Sequence, residues 1–115
     1  MRRVKRFRLW AALALLIGCG PSVGPNGHDV GAVCATDRDC ASRCSHEGDF
    51  GGSMCTRPCA TDHDCPSGSV CVAKDNGMCA VACHTSSDCS GFGRAFVCAN
   101  MSQPGGGSTL VCRVP

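Results

Sequence analysis

Apolar positions fall in one continuous run, Leu9–Ile17, and afterwards in short clusters that each carry a cysteine. Val70-Cys-Val-Ala73 and Met78-Cys-Ala-Val81 form one pair of clusters around the polar stretch Lys74-Asp-Asn-Gly77. Asn-Gly between two apolar segments is the strongest short hairpin signal, because both residues tolerate the positive φ of a tight turn. A second pair, Ala95-Phe-Val-Cys-Ala99 and Thr109-Leu-Val-Cys112, flanks the longer loop Ser102–Ser108, and Glu47–Gly52 is the matching loop of an earlier hairpin. Ahead of each hairpin lies a polar phrase bounded by cysteines: Cys34-Ala-Thr-Asp-Arg-Asp-Cys40, Cys59-Ala-Thr-Asp-His-Asp-Cys65 and Cys83-His-Thr-Ser-Ser-Asp-Cys89. Thr36 with Asp39, Thr61 with Asp64 and Thr85 with Asp88 have capping-box spacing, a hydroxyl opening a short helical turn and an acid three residues on. Asp reaches less far than the usual Glu, but its charge still suits the positive end of the turn.

Phrases and hairpins combine into three repeats, residues 34–55, 59–79 and 83–112, whose first cysteines stand 25 and then 24 residues apart. Each repeat holds four cysteines: Cys34, Cys40, Cys44 and Cys55; Cys59, Cys65, Cys71 and Cys79; Cys83, Cys89, Cys98 and Cys112. The expected fold is small and disulfide-rich, three short repeats of helical turn plus β-hairpin with little regular secondary structure. If the opening phrase is a helical turn, its two cysteines are separated by a rise of about 9 Å, beyond the ~7 Å limit for a bridge. First-to-second pairing is therefore disfavoured. Of the three connectivities that four cysteines allow, first–third with second–fourth is preferred over first–fourth with second–third. Bridges between repeats stay open.

Composition explains why staples are needed. The chain of 115 residues has four Phe, one Trp and no Tyr, against thirteen Cys. So few large side chains bury little area, and small domains without a core rely on cross-links. The formal charge of +2 is misleading, because Arg2, Arg3, Lys5, Arg6 and Arg8 crowd the first eight residues. Past Gly18, nine acidic residues outnumber six basic ones. No basic patch is left there for nucleic acid.

Residues 1–18 read as an export signal: a basic start and then the run Leu9–Ile17, too short to span a hydrocarbon core of ~30 Å. The segment ends in Leu16-Ile17-Gly18-Cys19, which resembles the bacterial lipobox. The resemblance implies cleavage between Gly18 and Cys19, diacylglycerol on the Cys19 thiol and acylation, such as with palmitate, of the new amine. More than one acyl chain meets the requirement for stable anchoring. Resemblance to enterobacterial lipoproteins further implies sorting to the outer membrane, since Gly20 rather than Asp follows the cysteine. Lipidation of Cys19 would remove the odd cysteine and leave twelve for three repeats of four. Residues 19–31 are then expected to be the lipidated Cys and a flexible tether: Gly20–Gly31 carries four Gly and two Pro without apolar periodicity. Such a spacer holds a domain roughly 20 Å from its anchor. His28 and Asp29 are expected to be solvated, and the Cys-rich domain to occupy 32–115, starting at Ala32-Val33.

Several chemistries compete for the same residues. Calcium is one, because Asp-x-Asp supplies hard oxygens. Where copies one and two have Asp37 and Asp62, the third has Ser86, whereas Thr and the second Asp recur in all three. The cap is what the copies share. Zinc or dithiol redox sites favour Cys-x-x-Cys, and no such spacing occurs. His46, His63 and His84 occupy unrelated repeat positions. A Gly-x-Ser-x-Gly elbow is missing, and the chain is small for a preformed pocket. No enzyme activity and no cofactor are expected.

The phrase Cys-x-x-Asp-x-Asp-Cys-Pro-x-Gly-x-x-Cys at Cys59–Cys71 resembles the Cys-rich repeats of lipoproteins from myxobacteria and related bacteria. It is also similar to Dickkopf N-terminal and EB-type extracellular modules. Repeat three departs from it at Ser86 and Ser90, and repeat one has a shorter gap between its second and third cysteines. The resemblance implies a scaffold rather than an activity: a lipid-anchored, extracytoplasmic protein with a binding or structural role. Its expected partners are the membrane, through the lipid, and an envelope protein or polymer, with no nucleic acid. One alternative is a small inhibitor or ligand acting through hairpin tips such as Lys74–Gly77. A second is a calcium-dependent binding module.

Overall fold

The computed structural model describes residues 23–115. The expected signal segment, the cleavage site at Gly18, the lipid site at Cys19 and the first residues of the tether lie outside them.

The fold is small and disulfide-rich. Each repeat opens with a 3-10 turn, Asp37–Asp39, Asp62–Asp64 and Ser86–Phe92, and continues into an antiparallel hairpin. The hairpins are β1 (Arg43–Ser45) with β2 (Met54–Thr56), β3 (Ser69–Val72) with β4 (Met78–Val81), and β5 (Val97–Ser102) with β6 (Ser108–Arg113). The third hairpin begins at Val97 rather than Ala95, because a turn from Gly93 to Phe96 occupies the intervening residues. Between β3 and β4 the chain takes a five-residue connection in place of a two-residue turn. Asp75, Asn76 and Gly77 all have positive φ there.

Register accounts for the bridges. In every hairpin the third and fourth cysteines are directly opposed: Cys44 with Cys55, Cys71 with Cys79, Cys98 with Cys112. They do not bond each other. Each reaches the opening phrase lying across the hairpin, giving Cys34–Cys44 and Cys40–Cys55, Cys59–Cys71 and Cys65–Cys79, Cys83–Cys98 and Cys89–Cys112. The pairing is first–third and second–fourth throughout, with Cα separations of 5.4–5.9 Å. Among the described residues no bridge crosses a repeat boundary.

The residues just before each repeat add a short third rung. Val33 pairs with Met54, Pro58 with Met78 and Ala82 with Val111, all antiparallel. The fourth cysteine of the first two repeats donates its N–H to a carbonyl two residues ahead of the first cysteine: Cys55 to Ala32 at 2.8 Å and Cys79 to Arg57 at 3.0 Å. The last strand of one repeat thus runs straight into the edge of the next.

The repeats also share a core. Phe50 and Met54 from the first, Val72, Met78 and Ala80 from the second, and Met101 and Val111 from the third form one buried cluster. A second cluster joins Val30 and Val81 to the sulfurs of repeats two and three.

The expected tether differs most from the structure. Residues 23–31 form a packed strap, and the folded part starts ahead of Ala32. Val30 is fully buried and Asp29 is 6% exposed. Arg57 donates to both Asp29 oxygens, Nε to Oδ1 at 2.8 Å and Nη2 to Oδ2 at 2.5 Å. The strap touches each repeat just past its second cysteine. Val23 lies against Gly68, Pro25 against Gly91, and the His28 carbonyl accepts the Ala41 N–H at 2.6 Å. His28 itself is exposed, as expected. Glycine serves here because the approach is close: a Cβ on Gly91 would stand 3.1 Å from Pro25 Cγ.

Candidate functional site

The opening turns are self-locking. Asp39 Oδ2 accepts the N–H groups of Ala35 at 2.8 Å and Thr36 at 3.1 Å. Asp64 does the same for Ala60 and Thr61, and Asp88 for His84 and Thr85, at the same pairs of distances. Thr36, Thr61 and Thr85 complete reciprocal capping boxes. The short Asp side chain suffices because one oxygen serves two successive amides. Those amides hold the three exposed carboxyls below the usual carboxylate range.

The other acid of Asp-x-Asp has a different task. Asp37 Oδ1 accepts the Cys44 N–H at 2.9 Å and Asp62 Oδ1 the Cys71 N–H at 2.8 Å. Ser86 Oγ accepts the Cys98 N–H at 3.2 Å in the third copy. This position ties the turn to its hairpin, and a hydroxyl serves as well as a carboxylate. Comparison of the copies identifies the cap but misses this second role, because Asp and Ser look unlike until both are seen to accept the same amide.

The hairpin tips are engaged with neighbouring repeats. Asp49, at the tip of the first, receives Lys74 of the second at 2.6 Å and Arg113 of the third at 2.9 Å. The Lys74 hydrogen bond, with the attraction of both cations, outweighs partial burial and lowers the Asp49 carboxyl; Lys74 is raised in turn. Arg43 pairs with Asp75 at 3.1 Å. At the third tip, Gln103 Nε2 donates to Asp62 Oδ1 at 3.0 Å and to the Cys71 carbonyl at 3.2 Å. The charges of Lys74–Gly77, a candidate contact loop by sequence, thus face the protein's own surface. Pro104–Ser108 is the exposed part of the third tip.

Three sulfurs in each repeat lie within 4.8 Å of one another. All belong to disulfides, so none is the thiolate a metal takes. Among the described residues no His joins a cluster of potential ligands. His46 Nδ1 is 2.9 Å from the Gly52 carbonyl oxygen.

A groove of about 210 Å³ lies between the first and third repeats. Val33, Phe50, Met54, Phe92 and Phe96 line it, with buried Gly31 and exposed Gly91 in its wall. Phe92 and Phe96 pack against each other with centroids 5.3 Å apart. Val33, the chain's most exposed large apolar side chain among the described residues, is 74% exposed at its rim. The lining holds no acid, base or thiol, so it suits apolar contact. Sequence reasoning missed this groove, since its walls come from positions 31 to 96 and no local pattern brings them together.

Comparisons with protein-family models, with curated proteins and with solved structures each found no match.

Proposed function

We propose that this chain is a lipid-anchored, non-enzymatic protein of the bacterial cell envelope, held at the outer membrane through Cys19. Its disulfide-stapled domain has a binding or structural role at that surface. One observation carries the reading: the six bridges consume all twelve cysteines of the described residues. The thirteenth is Cys19, at the end of a basic and then apolar segment. An odd cysteine beside a full disulfide set calls for its own chemistry, and thioether lipidation supplies it.

Intact mass of the protein recovered from the envelope tests this. The expected product begins at Cys19, carries acyl chains there and contains six disulfides. Cys19→Ser should move the protein from the detergent phase to the aqueous phase. A chain of unmodified mass at Cys19, or free thiols among the other twelve, would sink the reading.

A further inference from the structure

Resting on that anchor, we propose that the groove of Val33, Phe50, Phe92 and Phe96 docks on the lipid surface, so that the domain lies against the bilayer rather than at the end of a leash. The strap carries the argument. Gly20, Pro21 and Ser22 alone separate Cys19 from Val23, which already packs on the second sulfur-rich cluster. Four residue steps reach at most about 14 Å when fully extended. The headgroup layer of one leaflet takes up roughly 5–8 Å of that distance.

The groove opens where this short connection ends. A Cβ on Gly31 would stand 3.1 Å from the Gly24 nitrogen, and one on Gly91 3.1 Å from Pro25 Cγ. Two of the groove's wall residues are therefore in contact with the residues one and two steps past Val23. An exposed valine and two half-buried phenylalanines held at that depth match the apolar boundary beneath the headgroups. Exposed Arg94, between Phe92 and Phe96 in the chain, supplies a cation for lipid phosphate.

The test places a tryptophan in the groove. The full-length protein carries Val33→Trp in a Trp10→Phe background, so that the probe is the single Trp. It is reconstituted into phosphatidylethanolamine–phosphatidylglycerol vesicles whose acyl chains are brominated. The mass of Cys19 reads the anchor separately. Where native acyl chains are absent, a diacyl maleimide is coupled to the Cys19 thiol first, so docking is read in either case. Trp at position 33 should be blue-shifted and quenched several-fold more than Trp from Gly105→Trp at the third tip. Phe96→Trp should behave like position 33. Emission at positions 33 and 96 that is unquenched in protein with an acylated Cys19 would overturn the docking while leaving the anchor standing.

Discussion

At the scale of single residues, the aspartates of the opening turns hold this fold by accepting backbone amides, whereas Asp29, Asp49 and Asp75 pair with cations. Asp64 is the simplest case. Its carboxyl is depressed by the Ala60 and Thr61 amides, so the folded form binds a proton less readily than the unfolded chain, whose Asp titrates near ~3.9. The stabilisation is complete above that value and is lost as pH falls through the lower, folded one. Asp64→Asn should lower the melting temperature by a few degrees at neutral pH. The gap to the parent should close towards pH ~2, as thermal melts across that range would show. Asp39→Asn and Asp88→Asn should do the same, because the three copies share one geometry. Melts repeated with a chelator should be unchanged, since Asp37 and Asp62 already accept the amides of Cys44 and Cys71. A drop in melting temperature on chelation would restore the calcium reading.

At the scale of elements, much was legible beforehand. Four cysteines at repeated spacing gave the unit, and apolar clusters around Asn-Gly located β3 and β4 to within a residue. The length of one turn disfavoured first-to-second pairing and left two patterns, of which the structure shows the preferred one, first–third with second–fourth. What escaped were contacts made by backbone. The strap reads as a spacer because Gly and Pro dominate it, yet Gly68 and Gly91 let it lie close to two repeats. Gly77 shows how tightly such contacts are specified. Its φ is 106°, and a Cβ would collide with the Cys59 carbonyl oxygen. Gly77→Ala should cost more than ~1 kcal/mol by chemical denaturation, since the native backbone conformation is incompatible with alanine. Gly105→Ala, with open space around it, should stay within about 0.5 kcal/mol of the parent.

At the scale of the whole molecule, three repeats that close their own bridges should still melt as one body. Fully buried Met78 belongs to a cluster drawn from all three, and Asp49 ties the tips of the first two to the last strand of the third. Replacing Cys65 and Cys79 together with Ala should cost about 2–5 kcal/mol. The double variant should unfold in a single transition by calorimetry. Two separated transitions would mean that the repeats are independent beads. The shared core was hard to foresee from a chain so poor in aromatics, because Met54, Met78 and Met101 do much of the filling beside Phe50, Val72 and Val111. Flexible Met side chains leave little pattern in a sequence yet adapt to irregular gaps.

The closure of every bridge within its own repeat has a consequence for how the chain is made. The paired cysteines are 10 to 23 residues apart, so a chain emerging N-terminus first presents one repeat's full set before the next has emerged. Each set then chooses among three pairings rather than the far larger number open to twelve thiols at once. Order of emergence thus favours pairing within a repeat over pairing between repeats.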